Sequence, residues 1–591
     1  MSKSFSRRDL LLLSAGLVLL VLVMARGTLA LPYYSDDFEH AGLIAQIRAG
    51  LEPGRDLILS PFHGQLLVLL RLLFWFGTVA GGMSLTWVRL GICAAHIGAA
   101  VGCAILCARW TESQFAGVLA GTLYAGAFGF INEQIWWPSS GIFCLGVAFF
   151  IFAILALDAN RPWFCLLMLI LAVLGLNGIL AAALALPAYG WLVRRKRPRV
   201  AVSIAVLILM AALCAAGVWR VGFSLRGFEL GSWLIFTAPL RFFSGFTAFA
   251  IPGFQTILIL APLAWLPVLA STWFLKAPER RIVLFVWMPA ILLAFLVGFA
   301  RSDYPFRFGP GSLYTADRYY YLFLFPLVAQ CVLFVSNVRL PRGSMLAVFA
   351  ILAAALIGSR AHYLANVPRA TFEASAHALQ QGRALVQTIR VSKVRPLAFT
   401  DRLIPMDGAR NNALSLAFLI YSEYPHGIPG VRLVREPLDA RQAAIENSLL
   451  NPWLRPASSY IDFKSASYEE DLMSGFSWWE PPFRWMAGRA SLRLIAAPGD
   501  LVISTYAPVD HLHRPIHVAV TMNGHFAGSF EISMPGIHDY LLHPRALIPG
   551  TIANITLTSD LVWHARDIYP QSLDERDLSI AISAIGFGVR P

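Results

Sequence analysis

Tyr33-Tyr34-Ser35-Asp36-Asp37-Phe38-Glu39-His40 is the stretch on which the reading of this chain turns. It follows the first apolar run, 10–24, where the chain leaves the membrane. The adjacent carboxylates Asp36 and Asp37 are joined by Glu39 and His40, and Glu52 and Asp56 follow in the same loop. Residues 1–360 hold only 13 Asp and Glu, and five of them fall here. Acid gathered at a membrane boundary marks a functional-site candidate. The competing reading is a solvated face, which is what most charged clusters are.

Composition sets the class. The chain is 57% hydrophobic and 14% charged, with mean hydropathy +0.63 over 591 residues. Soluble domains carry about 25% charge, so this is an integral membrane protein. The net charge of +13 is uneven: residues 1–360 hold 27 Lys+Arg against 13 Asp+Glu, and 361–591 hold 20 against 21. A basic membrane half fits positive-inside anchoring and an anionic ligand. No soluble basic domain exists, which argues against nucleic acid as a partner. All seven cysteines lie between Cys93 and Cys331 at no metal-ligand spacing. The tail therefore folds without disulfides even in an oxidising compartment.

Ser6-Arg7-Arg8-Asp9 ahead of the first apolar run resembles a twin-arginine export signal, with Thr28-Leu29-Ala30 as a cleavage site. Many apolar runs follow, so an uncleaved first span is the better reading. Further spans are expected near 84–108, 114–131, 139–157, 162–177, 179–193, 199–219, 253–275, 281–300, 319–337 and 344–360, about eleven with the first. Residues 61–82 are apolar but carry His63, Gln65 and Arg71. An arginine mid-span costs about 3 kcal/mol, which favours a helix lying on the outer surface over one that crosses. With the N-terminus inside, Arg194-Arg195-Lys196-Arg197, 276–281 and 339–342 fall inside. The acidic loop, 132–138, 220–252, 301–318 and everything after 360 fall outside, in the periplasm or its equivalent; making 61–82 a span and 162–193 one long span would move 132–138 inside, and charge alone does not decide between the two. Three parts result: a membrane module over 1–360, an α/β or irregular segment over 361–474, and a β-sandwich over 475–591. In the last, Ile516, Val518, Val520 and Met522 alternate with less apolar neighbours, and Asn523-Gly524 makes a two-residue hairpin. Regular short strands of this kind indicate a sandwich.

Four outer features could converge: Asp36/Asp37; Asn132-Glu133-Gln134-Ile135-Trp136-Trp137-Pro138; Arg301-Ser302-Asp303-Tyr304 with Arg307; and Ala316-Asp317-Arg318-Tyr319-Tyr320-Tyr321. Each has a plainer explanation. The tryptophans and tyrosines fit interfacial belts, the arginines fit end-of-helix anchors, and His63 fits a hydrogen-bonded interfacial histidine. Together they make a site of carboxylates, aromatic platforms and arginines. Arginine grips phosphate with paired donors, aromatic faces suit sugar rings, and a carboxylate deprotonates a hydroxyl. That chemistry fits sugar transfer from a lipid-linked phosphate to an acceptor hydroxyl.

An Asp-Asp in the first outer loop, a surface helix after it, a Glu/Trp-bearing second loop and a later Arg-Tyr-Tyr loop resemble the GT-C superfamily of polytopic glycosyltransferases. That family uses polyprenyl-phosphate sugars, as protein mannosyltransferases and cell-wall arabinosyltransferases do. The resemblance covers roughly 1–360. The run Phe483-Arg484-Trp485-Met486-Ala487-Gly488-Arg489-Ala490-Ser491-Leu492 resembles the start of the jelly-roll, carbohydrate-binding-like domains that end some of these enzymes, and Asp574-Glu575-Arg576-Asp577-Leu578 is similar too. The resemblance implies that one residue of the Asp36/Asp37 pair is the general base; Asp36, the first acid of the motif, is favoured, with Asp37 orienting it or helping hold a divalent cation, and no cofactor is otherwise required. It implies Arg301, Arg307 and Arg318 on phosphate, and Glu133, Trp136 and Trp137 around the sugar or acceptor; Glu39, His40, His63, Tyr319 and Tyr320 complete the candidate set. The competing function is a transporter or export component, or a ligase of whole glycan chains. Transport would want charges in span centres or inverted repeats; Arg71 and Arg89 are the few charges of that kind, and no repeat is apparent.

Overall fold

The computed structural model describes residues 5–176 apart from 35, 60–66 and 81–83; 266–300; 321–337; 358; and 367–588 apart from 393, 395, 406–412, 435–437, 439, 451–452, 454–457, 465–467, 469–470, 481, 545–547 and 569–575. It divides into two compact units, 1–40 with 54–372 and 41–53 with 373–591.

The first unit is helical. α1 (Arg7–Ala25) opens on a capping box: Ser6 Oγ accepts from the Asp9 amide at 3.1 Å, and the Asp9 carboxylate accepts from the Ser6 amide at 3.3 Å. The Ser-Arg-Arg-Asp run that resembled an export signal is thus a helix start. α2 (Asp37–Arg48) and α3 (Asp56–Leu59) follow, then α4 (Val68–Ala80), within the stretch expected on the membrane surface. Arg71 in α4 is buried and donates to the Asp56 carbonyl at 3.2 Å. α5 (Thr86–Thr111), α6 (Gln114–Gly126), α7 (Phe128–Trp136), α8 (Ile142–Asp158) and α9 (Pro162–Gly175) come next. Among the described residues, Arg7–Ala25, Thr86–Thr111 and Pro138–Asp158 are long and apolar enough to cross a membrane. The run expected as one span over 114–131 breaks at Ala127, whose backbone (φ −76°, ψ 56°) ends α6 before α7 begins. α10 (Leu266–Ser271), α11 (Ala277–Ala300) and α12 (Tyr321–Asn337) complete the described helices of this unit. The spans expected at 179–193, 199–219 and 344–360 lie wholly or almost wholly outside the described residues.

One polar network crosses the apolar interior. His96 Nε2 lies 3.3 Å from the Ala125 carbonyl, which only accepts, so that nitrogen carries the proton and Nδ1 accepts from Tyr321 Oη at 3.0 Å. Tyr124 Oη then donates to Tyr321 Oη at 3.3 Å. These bonds satisfy both ring nitrogens of His96 and tie α12 to α5 and α6.

The second unit holds α13 (Arg369–Val391) from Glu373 onward, a two-stranded parallel pair, a small hairpin and a large sheet. β1 (Leu397–Thr400) pairs with β4 (Val431–Val434), and β2 (Leu403–Pro405) with β3 (Ala413–Ser415). α14 (Leu416–Glu423) is capped by Ser415, and α15 (Ala440–Leu450) packs on β1. The far end of α2 belongs here: Gln46 donates to Asp401 at 2.8 Å, Arg48 donates to the Pro425 carbonyl, and Tyr421 Oη donates to the Arg48 carbonyl at 3.2 Å. Burial raises the Asp401 carboxyl above its usual range, against the donors Ala417 N–H and Gln46.

The large sheet comprises β5 (Tyr460–Asp462), β6 (Leu472–Glu480), β7 (Phe483–Ile495), β8 (Leu501–Tyr506), β9 (Ile516–Met522), β10 (His525–Ile532), β11 (Ile537–Leu542), β12 (Ile552–Ser559) and β13 (Ala581–Phe587). Its order is β10-β9-β12-β7-β13-β8-β11, with β5 on β13 and β6 on β7. A sandwich implies two separate layers; the strands instead form one continuous path. The path curls until its end strands meet, with Phe530 stacked on Tyr540 at 4.4 Å. The sheet also starts earlier than 475, at Tyr460. Its core gathers Ile461, Leu492, Ile503, Val518, Val520, Ile555 and Ile585, each burial stabilising by about 1.5–3 kcal/mol. Ile516, Val518, Val520 and Met522 all point inward, and Asn523 and Gly524 take the positive φ values (52° and 81°) of the hairpin.

Candidate active site

Asp36 and Asp37 are adjacent but differently placed. Asp36 is half-exposed, and its carbonyl accepts from the Glu39 and His40 amides, at 3.0 and 3.2 Å, so it sits at the mouth of α2. Asp37, one residue on, is fully buried. One of its oxygens accepts from the Ser139 amide at 2.9 Å and from Ser139 Oγ at 2.6 Å; the other accepts from the Tyr34 amide at 3.1 Å. The Asp37 amide in turn donates to the Tyr34 carbonyl at 3.0 Å, closing a turn at the start of α2. Ser139 offers its amide because Pro138 starts a tight 3₁₀ turn over Pro138–Gly141, whose first N–H groups lack partners within the turn. Asp37 thereby joins the segment over 33–40 to the segment over 132–141.

Burial pushes the Asp37 carboxyl up to about 7; the Ser139 hydroxyl, the Arg89 charge and the two amides hold it from rising further. A carboxyl near neutrality is what a general base needs. Geometry decides otherwise: both oxygens of Asp37 are occupied and none of it reaches solvent. Of the pair, Asp36 is the residue with exposed surface. Glu39 is exposed, and His40 is buried with its ring 5.0 Å from Phe74.

The segment over 132–138, expected as an outer loop, is helical through Trp136. Glu133 and Trp136 lie on α7 and are buried, while Trp137 caps it half-exposed. The two indoles stack with 6.4 Å between centroids. Tyr34 meets Trp136 edge-on at 4.9 Å and Trp137 at 5.6 Å, and Phe372 lies 5.6 Å from Tyr34 and 6.3 Å from Trp136. An aromatic cluster thus stands two residues from Asp36 along the chain. His63, Arg301, Arg307, Arg318, Tyr319 and Tyr320 lie outside the described residues. Among the described residues no group of three His, Cys, Asp or Glu is assembled that could hold a metal ion.

Sequence reasoning misses Ser139, Tyr34 and Phe372, and it misplaces Arg89. Pro138-Ser139 after two tryptophans signals a turn with a free amide; the other two carry no signal. Arg89 reads as a mid-span charge, yet it stands in the first turn of α5, fully buried. Its Nε donates to the Ile135 carbonyl at 3.0 Å. Its terminal nitrogens donate to Leu29 at 3.2 Å, to Leu31, to Pro32 at 2.8 Å and to Trp136 at 3.5 Å.

No protein-family model matches the chain, and no curated protein matches it. Among solved structures it is similar to the crystal structure of ArnT from Cupriavidus metallidurans bound to undecaprenyl phosphate. The TM-score is 0.40 and the identity 14%, over 74% of this chain and 88% of that one.

Proposed function

We propose that the chain is a membrane glycosyltransferase that moves a sugar from a polyprenyl-phosphate donor to a hydroxyl of an envelope glycan or glycoconjugate. The observation that carries this reading is the division of labour between Asp36 and Asp37. A half-exposed carboxylate stands at a helix mouth, its neighbour fixes the backbone, and an aromatic cluster adjoins them. Undecaprenyl phosphate, bound in the ArnT crystal structure, is the kind of carrier this proposal assigns to the donor.

In this reading Asp36 takes the proton of the acceptor hydroxyl. The phosphate is already a competent leaving group, so one base on the sugar face opposite it suffices. The expected outcome is inversion in a single displacement, by analogy with inverting hydrolases that activate water. Trp137 and Glu133 border the acceptor or sugar, and Arg301, Arg307 and Arg318 take the donor phosphate. Whether a divalent cation assists Asp36 is read from activity against added chelator. Transfer occurs at the outer face of the inner membrane, the C-terminal sheet is a glycan-binding module, and the protein spans the membrane many times. The transport alternative loses its best charge, because Arg89 is occupied by five carbonyls.

The test is transfer of labelled sugar from a polyprenyl-phosphate sugar by the purified protein, with mass analysis of envelope glycans in cells with and without it. No transfer with any donor, and unchanged glycans, would overturn the reading.

A further inference from the structure

We propose that Arg89 is the positioning residue of this site: one guanidinium holds the two segments that Asp37 joins in register by gripping their backbones. The inference rests on the reading of Asp36 and its surroundings given above and adds the device that assembles them. Arg89 lies in α5, yet the five partners named above are all main-chain oxygens of other segments. Three belong to the stretch just before the acidic pair, Leu29, Leu31 and Pro32; two are the last carbonyls of α7, Ile135 and Trp136. Those α7 carbonyls lack intrahelical partners, and a cation at a helix C-terminus meets the negative end of its dipole.

The two gripped stretches lead directly into the groups that matter. Pro32 is followed by Tyr33, Tyr34 and the acids. Trp136 is followed by Trp137 and by Ser139, which holds Asp37. The Asp37–Ser139 bond and the Arg89 fork therefore form two ties between the same segments, one through a carboxylate and one through a guanidinium. A guanidinium is suited to this because its five N–H donors point in fixed, divergent directions in one plane. Lysine, a compact ammonium with three donors, cannot reach both stretches at once. Two of these five bonds are buried and three part-buried; leaving those carbonyls without the fork is costly, so the segments would separate rather than stay desolvated in place.

The experiment uses the full chain in detergent or nanodiscs and has two arms. Hydrogen exchange read by mass spectrometry follows the amides of Leu31, Tyr34, Trp137, Ser139 and Ser140, which are hydrogen-bonded in these segments. In the wild type, peptides over 29–34 and 135–141 should open together. In Arg89→Lys and Arg89→Gln both should exchange at least about tenfold faster, while 516–532 in the β-sheet stays protected. In the transfer assay the same variants should lose about 100-fold in kcat, the scale of a misplacement near 1 Å, with KM for the donor within about threefold. Independent opening of the two segments in the wild type overturns the proposal even if no variant folds. So does an Arg89→Lys protein with wild-type protection, or acceleration spread equally over the β-sheet. If exchange behaves as expected but the wild type transfers no sugar, the clamp stands and the enzymatic reading falls. If the wild type transfers sugar and exchange behaves as expected but kcat is unchanged in the variants, the enzymatic reading stands and the positioning role falls.

Discussion

Two neighbouring carboxylates with opposite environments make opposite predictions. Asp36→Asn keeps size and hydrogen bonding but cannot accept a proton. Transfer should fall about 10²–10⁴-fold, with donor binding retained in an equilibrium assay. Near-normal turnover in both Asp36→Asn and Asp37→Asn would remove the catalytic assignment. Asp37→Asn acts on stability first. Its amide NH₂ must face either the Ser139 donors or the Tyr34 amide, and a buried donor left against a donor costs about 1–3 kcal/mol. The pH dependence has a defined sign. The Asp37 carboxyl titrates near 7 when folded and near its ordinary value of 3.8 when unfolded. The folded state therefore binds more protons between those values, and stability drops as pH rises from about 4 to about 7. Asparagine does not titrate, so the gap between wild type and Asp37→Asn should narrow over that window in thermal melts. A gap that widens would contradict the burial of Asp37. The acidic pair was legible in the sequence as an outlier against an acid-poor background. Which acid faces solvent was not, because Ser139 is 102 residues away and nothing local announces that contact.

At the scale of elements, local chemistry was readable wherever it decides the backbone. The Asn523-Gly524 hairpin, the alternation of β9 and the helix over 162–175 follow from turn residues and periodicity. The break at Ala127 did not show, since Gly126-Ala127-Phe128-Gly129-Phe130 is apolar throughout and carries no polar cap to mark where one helix ends and the next begins. β6 was also harder to read, because it is irregular: its register against β7 shifts three times. Gly475 lies in that irregular strand with φ 77°, and a Cβ there would stand 1.9 Å from the Arg489 carbonyl oxygen. Gly475→Ala should therefore cost roughly 2–6 kcal/mol through overpacking and backbone strain. Gly524 has φ 81° but open space around it, so Gly524→Ala should cost only about 1–2 kcal/mol. Thermal unfolding of the two variants beside the wild type gives the ranking; the reverse order would show that β6 rearranges freely.

For the whole molecule, the composition made a membrane protein plain, and the cysteine-free tail made a disulfide-independent β domain plain. The continuous curl of the sheet was hidden because strand order depends on pairings such as β5 with β13, Ile461 opposite Ile585, far apart in the chain. A fragment over 458–591, which retains β5, should fold alone with a β-type circular-dichroism spectrum; a helical or disordered spectrum would refute that. Reporter fusions after residue 360 should be active only outside the cytoplasm, and cytoplasmic activity would reverse the topology. The second half of α2 has a further consequence, which concerns synthesis rather than chemistry. Gln46 meets Asp401 355 residues later, and Arg48 meets Pro425 377 residues later. At 5–20 residues per second a ribosome needs roughly 20–70 s to cover that distance. Ser139, the partner of Asp37 at the other end of the helix, follows after only 102 residues, roughly 5–20 s at the same rate. The helix that begins at Asp37 is therefore fastened at its start long before its end: the Asp37–Ser139 tie can form well before the partners of Gln46 and Arg48 have been made.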